Sequence, residues 1–440
     1  MDVTITPHEL SGQVRAVASK SEAHRVLICA AFADAVTDID CNTTSQDIEA
    51  TILCLEALGA RVASTQRGFR VVPVPRDDAG ACLAASGATL DCGESGSTLR
   101  FLLPVVAALG CEARLTGHGR LAERPLSPLY EQLVAHGASL SPQGAFPLVV
   151  GGALDAAAGT AYTLPGNVSS QFVSGLLMAG AITGTGVEVR VGEPVQSKPY
   201  IALTCCALAT FGINATVARE QTAEGPQTVW RIAAGTRLVS PGTASVAGDW
   251  SNASVWLAAG ALGTAGVEVC GLDLKSPQGD RSIMGAIALM GGRVARHGSS
   301  VSVVRDSLAG RTINVADCPD LVPALAAAAS MASGTTHITG AARLRLKESD
   351  RLATVSAAIN ALGGKAEETQ DGLVITGVDK LRGGAVDAAN DHRIAMMASV
   401  CAAFATGPTT IRGAECVAKS YPGFFDDFAK LGGIVSTKEN

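Results

Sequence analysis

Charge is scarce in this chain: Asp, Glu, Lys and Arg make up 17% of 440 residues, and the net charge is −6 with histidine neutral. So slight a negative balance excludes broad attraction to nucleic acid or a membrane surface, and the basic residues matter only where they cluster. No apolar run is long enough to span a bilayer, and residues 1–12 lack the basic and apolar regions of a signal peptide. The expectation is a cytoplasmic protein with neither membrane nor nucleic acid among its partners. The twelve cysteines form no CxxC pair, and Cys29, Cys54 and Cys401 lie in apolar patterns, so they read as reduced core residues. The seven histidines are dispersed, and no GxxxxGK[ST] loop is present. Neither a metal nor a cofactor is expected.

The charge that does occur is concentrated at helix entrances. Lys347-Glu348-Ser349-Asp350-Arg351 stands directly before an apolar helix pattern, with Ser349 or Asp350 as the N-cap. Ser19-Lys20-Ser21-Glu22 opens a second pattern, Ser19 and Glu22 being spaced as a capping box, with Arg25 one turn on. Asn390-Asp391-His392-Arg393 opens a third. Lys419-Ser420-Tyr421-Pro422 opens a fourth, Pro422 at a first helical position. A helix N-terminus carries partial positive charge, so a basic residue there costs roughly 0.3–1 kcal/mol unless an anion joins it. Four such entrances point to a shared ligand with several negative charges; ordinary surface decoration is the competing reading.

Six apolar helix patterns end at a glycine and pass into a strand: Gly59, Gly137, Gly212, Gly291, Gly363 and Gly432. The interval of roughly 75 residues suits a duplicated supersecondary unit rather than a solenoid. In the first copy, residues 14–18 read as a strand, 21–34 as a helix, 37–41 as a strand and 45–58 as a helix. A hairpin follows, with arms 60–65 and 69–74, giving a β-α-β-α-β-β order. Hairpins recur at 293–304 and 365–375. The reading is an α/β protein of two similar domains with three units each, and residues 235–248 are the best candidate crossing.

The motifs then converge on one family. Ser19-Lys20-Ser21 with Arg25, the stretch 93–100, Glu123-Arg124-Pro125, Val168-Ser169-Ser170-Gln171, Ser197-Lys198-Pro199-Tyr200, Pro319-Asp320, the stretch 347–351, Asp391-His392-Arg393 and Lys419 follow, in order, a known pattern. Together they resemble 5-enolpyruvylshikimate-3-phosphate (EPSP) synthases over nearly the whole chain. The resemblance implies a two-domain inside-out α/β barrel of six β-α-β-α-β-β repeats, three per domain. It places residues 1–19 with 242–440 in one domain and 20–241 in the other, with the active site in the cleft. It implies a monomer that transfers the enolpyruvyl group of phosphoenolpyruvate to the 5-hydroxyl of shikimate 3-phosphate, releasing phosphate.

Residue roles follow from the same resemblance. Glu348 is implied as proton donor to the methylene carbon, Asp320 as the group beside the attacking hydroxyl, and Lys20 as a third participant in proton transfer. Shikimate 3-phosphate is implied to meet Lys20, Ser21, Arg25, Ser169, Ser170, Gln171, Ser197, Tyr200, Asp320, Arg343 and Lys347. Phosphoenolpyruvate is implied to meet Lys20, Gly96, Arg124, Gln171, Arg351, Arg393 and Lys419. Without the resemblance, Asp320 reads as a cap for a helix beginning near Val322, and Ser169 to Gln171 as an ordinary helix start. Two positions depart from the common pattern. Glu94 replaces an asparagine, and its carboxylate repels anions unless protonated, turned away or paired with a neighbour such as Arg100. Arg343 also replaces an asparagine, and either contacts the shikimate phosphate or points to solvent. The rival readings are a UDP-N-acetylglucosamine enolpyruvyl transferase, which usually has a reactive cysteine where this chain has Gly119, and a non-catalytic anion-binding relative.

Overall fold

All six glycines expected to end helices lie in the left-handed region, with φ of 108° at Gly59, 98° at Gly137, 84° at Gly212, 102° at Gly291, 83° at Gly363 and 92° at Gly432. Such values favour a residue without a Cβ. The computed structural model describes residues 1–78, 80–154 and 161–438. The chain divides into two compact units, residues 1–19 with 247–440, and residues 20–246. The second passage falls later than the 241–242 expected, because Thr243–Ser245 pairs in parallel with Thr37–Asp40 and so stays with residues 20–246.

The fold is mixed α/β, and the described residues form six four-stranded sheets of one pattern. In each, an outer strand runs parallel to its neighbour and the next two strands are antiparallel. Ala88–Asp91, Ala113–Thr116, Leu148–Gly152 and Ala138–Leu140 form one such sheet. Parallel neighbours need a long crossover, and helix Gly96–Leu109 supplies it here.

The strand read at the start of the first copy pairs elsewhere, and another takes its place. Gly12–Arg15 pairs with Val267–Cys270 in the unit of residues 1–19 and 247–440, while Thr243–Ser245 takes the outer place beside Thr37–Asp40 in the other unit. A strand not anticipated, Asp2–Thr6, lies between Thr409–Arg412 and Ile434–Lys438, so both ends of the chain complete one sheet.

Two of the helices are buried on every face. Each residue of Trp250–Leu262 and of His392–Ala403 is buried, as expected for helices apolar all round. Small residues permit the packing: a Cβ on Gly175, in helix Ser170–Thr183, would stand 2.6 Å from the Arg100 carbonyl oxygen. Several candidate site residues stand at the N-terminal ends of helices, among them Lys20, Gly96, Ser170, Gln171, Arg351 and Arg393.

Candidate active site

In the unit of residues 20–246, helix Lys20–Ala31 brings Lys20 to the first turn of helix Gln46–Ala57, where its Nζ donates to Asp47 Oδ2 at 2.6 Å. Arg25 is buried. Its Nε donates to Thr204 Oγ1 at 2.7 Å, its Nη2 to the Tyr200 carbonyl at 2.9 Å and Ser174 Oγ at 3.3 Å, and its Nη1 to the Ser21 carbonyl. Phe101 lies beneath it, 4.7 Å from guanidinium carbon to ring centroid. Burial brings its pKa down to about 10, Tyr200 and Glu22 offsetting part of the effect. Among the described residues, four of its five N–H donors are spent on the protein.

Gly96 opens helix Gly96–Leu109, whose N-cap Ser95 accepts from the Thr98 amide at 3.2 Å. An ideal Cβ at Gly96 would stand 2.5 Å from Arg124 Nη1 and 2.6 Å from its Cζ. The guanidinium therefore lies flat against this glycine. Gln171 sits in the first turn of helix Ser170–Thr183, behind the N-cap Ser169. Its Oε1 accepts from Arg100 Nη1 at 2.9 Å and its Nε2 donates to Ser97 Oγ at 2.8 Å, while Arg100 Nη2 donates to the Pro125 carbonyl at 3.1 Å. Arg100 thus holds the Gln171 amide and the segment after Arg124 together. Ser197 is the N-cap of helix Lys198–Thr210, buried and left-handed at φ 55°, and Tyr200 lies in that helix's first turn. Glu94 turns toward the 117–119 loop: its Oε1 is 3.9 Å from His118 Nε2, and a Cβ on Gly119 would be 2.5 Å from its Oε2.

The other unit gathers three carboxylates, Asp320, Glu348 and Asp391, around Arg351. Asp320 lies in the short 3₁₀ turn Pro319–Leu321, and the helix that follows, Val322–Ser330, has Leu321 as an N-cap without a side-chain bond. Asp320 is therefore not its cap. Its Oδ1 accepts from Arg351 Nη1 at 2.8 Å and Lys347 Nζ at 3.2 Å, and Arg393 Nη2 stands 3.6 Å from Oδ2. Burial alone would raise its pKa, but Lys347, Arg393 and Arg351 outweigh that and hold it well below the usual carboxylate range. Glu348 Oε2 accepts from Arg351 Nη2 at 2.6 Å.

Arg351 is the hub. It opens helix Arg351–Ala361, whose N-cap is Asp350, and its side chain is 1% exposed. Besides Asp320 and Glu348 it donates from Nε to Asp391 Oδ2 at 2.9 Å and from Nη2 to Asp391 Oδ1 at 3.2 Å. Burial disfavours its charge, yet Asp391, Glu348 and Asp320 together raise its pKa. Among the described residues, four of its five N–H donors are spent on these carboxylates. Asp391 also caps helix His392–Ala403 through the Arg393 amide at 3.0 Å. Lys419 is buried and donates to the Asn390 carbonyl at 2.7 Å. It ends the 3₁₀ segment Ala414–Lys419, and the next helix begins only at Phe424, beyond the Pro422 start expected. Arg343 is half-buried, with Nη2 3.5 Å from the Ala316 carbonyl oxygen.

The sequence reading missed Asp47, Arg100 and the linking role of Asp391. Asp47 looks like any acid in a first helical turn, favourable there in its own right. Arg100 and Asp391 lay inside recognised motifs, but their partners come from segments remote in sequence. No group of three or more His, Cys, Asp or Glu among the described residues is arranged to hold a metal. The described cysteines are all free thiols. No described helix is long and apolar enough to cross a membrane.

Comparison with known proteins places this geometry. The sequence profile of EPSP synthase (3-phosphoshikimate 1-carboxyvinyltransferase) matches residues 5–428. A 3-phosphoshikimate 1-carboxyvinyltransferase of Clostridium kluyveri is 38% identical over 436 residues, 98% of each chain. One from Halobacterium salinarum is 38% identical over 442 residues, covering 98% of this chain and 99% of its own. The solved EPSP synthase of Acinetobacter baumannii superposes with a TM-score of 0.77 at 27% identity, over 99% of this chain and all of that one.

Proposed function

The chain belongs to the EPSP synthase family, and from that premise we propose how its two sets of residues carry out the reaction. It transfers the enolpyruvyl group of phosphoenolpyruvate to the 5-hydroxyl of shikimate 3-phosphate and releases phosphate, as a step of the shikimate pathway. Transfer to a UDP-sugar is not favoured by these relatives, and Gly119 offers no cysteine side chain.

The observation that carries the mechanism is that Asp320 and Glu348 share one guanidinium, 2.8 Å and 2.6 Å from Nη1 and Nη2 of Arg351. Addition–elimination needs one group to protonate the methylene carbon and another beside the hydroxyl that attacks. Glu348 gives the proton, and Asp320 takes up the hydroxyl's. Asp320 without ligands is too acidic to be a good base, because Lys347, Arg393 and Arg351 surround it. Substrate anions on Lys347 and Arg393 offset those charges, so its basicity recovers when both substrates are bound. Lys20 shares in proton transfer near the departing phosphate.

Shikimate 3-phosphate is held by Lys20, Ser21, Arg25, Ser169, Ser170, Gln171, Ser197, Tyr200, Asp320, Arg343 and Lys347. Phosphoenolpyruvate is held by Lys20, Gly96, Arg124, Gln171, Arg351, Arg393 and Lys419. Supporting this reading, Gly96, Ser169 to Gln171, Ser197 to Tyr200 and Arg393 stand in the first turns or caps of helices, where N–H groups and the helix dipole favour anions. The six sheets are six copies of one unit in an inside-out barrel, three in each of two domains, and both domains serve the same pair of substrates. The protein acts as a cytoplasmic monomer. Phosphate release from phosphoenolpyruvate, measured with shikimate 3-phosphate or UDP-N-acetylglucosamine as acceptor, tests the reading. Turnover is expected only with the former; turnover with the sugar nucleotide alone overturns it.

A further inference from the structure

Four buried side chains from three helices form one unbroken file. His24 Nδ1 lies 2.7 Å from Thr51 Oγ1, Thr51 Oγ1 lies 2.7 Å from Thr98 Oγ1, and the Thr98 hydroxyl donates to Ser95 Oγ at 2.8 Å. The four residues are 0–1% exposed. The file starts on helix Lys20–Ala31, crosses helix Gln46–Ala57 and ends on the N-cap of helix Gly96–Leu109.

Proton counting gives the file a direction. Each hydroxyl has one hydrogen. Thr98 spends its own on Ser95, so at the 2.7 Å contact with Thr98 it is Thr51 that donates. The 3.4 Å approach of Thr51 Oγ1 to the Asp47 carbonyl is then the weaker branch. With the Thr51 hydrogen used, the contact to His24 requires the proton to sit on Nδ1. His24 Nε2 is buried without a partner among the described residues. A bare ring nitrogen tolerates that position better than an N–H, so both ends select the same neutral tautomer. Burial, followed by Lys20 and Arg25, keeps the ring uncharged; on the neighbouring helix the Asp47 carboxylate is already bonded to Lys20. The edge of the imidazole packs on Phe101, 6.3 Å between centroids at 79°, and Arg25 lies over the same ring.

We propose that His24, acting through Thr51 and Thr98, is a positioning residue for phosphoenolpyruvate: a one-way hydrogen-bond file that registers the Ser95–Ser97 turn against the helix carrying Lys20. The proposal rests on the functional reading above. The turn it fixes holds Gly96, against which Arg124 lies, and Ser97, which accepts from Gln171. The file's far end is four residues from Lys20, whose ammonium is tied to Asp47 on the middle helix. Ser169, Ser170, Ser197 and Tyr200 lie outside the file, while Lys20, Ser21 and Arg25 share the helix on which it starts and keep their own bonds to Asp47, Thr204 and Tyr200, so shikimate 3-phosphate binding is disturbed less than phosphoenolpyruvate binding.

Two measurements test this. In ¹⁵N-histidine-labelled protein, the ring signals absent from His24→Asn are expected to show a protonated Nδ1 and a bare Nε2, unchanged from pH 8 to 5.5. An Nε2–H tautomer, or titration in that range, overturns the file whatever the protein catalyses. In steady-state kinetics, His24→Leu and Thr98→Val are expected to raise KM for phosphoenolpyruvate roughly tenfold, with KM for shikimate 3-phosphate rising less. His24→Asn, whose amide can donate from the Nδ1 position, and Thr98→Ser are expected to restore it. An equal rise for both substrates, or Asn no better than Leu, shows a merely structural role. Absence of any wild-type turnover with these substrates instead defeats the functional reading and leaves the tautomer result standing.

Discussion

Asp391 and Arg351 form a two-bond ion pair, 2.9 Å from Nε and 3.2 Å from Nη2, with side chains 0% and 1% exposed. The same carboxylate accepts from Ser349 Oγ at 3.0 Å and from the Arg393 amide. One buried group therefore sets Glu348, Arg351 and Arg393 relative to one another. Removing one partner of a buried pair strands the other charge, so Asp391→Ala should cost about 3–5 kcal/mol in chemical denaturation. Asp391→Asn keeps a competent cap while losing the charge, and should fall between Ala and wild type in stability. Equal stability of all three proteins would show that Asp320 and Glu348 suffice to hold Arg351.

Catalysis and binding should separate at Glu348. In the proposed role of proton donor to carbon it would act in the transition state, so Glu348→Gln should lower kcat by at least about 100-fold with little change in shikimate 3-phosphate affinity. Calorimetric titration beside kinetics distinguishes the two effects. Near-normal kcat would remove Glu348 from the chemistry.

The pH dependence of stability should carry a contribution from His24. Its folded pKa is depressed, chiefly by burial, so the unfolded chain binds the proton first as pH falls. Stability is thus fully present above the unfolded value near 6.5 and declines below it, by up to roughly 1.4 kcal/mol per pH unit, until the folded pKa is reached. His24→Asn lacks this proton, so its unfolding free energy should fall less than wild type between pH 7 and 5. Parallel curves for the two proteins would mean that His24 takes up a proton as readily folded as unfolded.

How much of this was legible follows from the range of each interaction. Helix stops depend on one local backbone angle, and all six marked glycines adopt it. The hairpin 293–304 was legible for the same reason, its arms being adjacent in the chain. Strand exchange was legible only through the resemblance, which placed residues 1–19 with 242–440; the alternation of Gly12–Arg15 is by itself the same whether it pairs at home or with Val267–Cys270. The motif residues were visible by resemblance, but not that Arg25 and Arg351 are buried. Charged residues rarely are, and what permits it here are partners as far off as Thr204, 179 residues from Arg25, and Asp391, 40 from Arg351.

Gly96 gives the sharpest test of the phosphoenolpyruvate site. A methyl group there meets Arg124 Nη1 at 2.5 Å, Cζ at 2.6 Å and Nη2 at 2.8 Å, so the guanidinium must move. It is the far end of a flexible side chain, and the fold should survive. Overpacking of this kind costs about 1–3 kcal/mol, and in Gly96→Ala that cost should appear as weaker phosphoenolpyruvate binding, tenfold or so in KM. Glyphosate, a longer molecule expected to compete for this site in the family the chain belongs to, should lose more than the substrate does. Glu94 does not offset the effect, because its carboxylate is turned to Gly119 and His118. Inhibition of both proteins at several phosphoenolpyruvate concentrations should be competitive, with the inhibition constant rising more than KM in the variant. Equal sensitivity of the two proteins would show that residue 96 does not border the inhibitor.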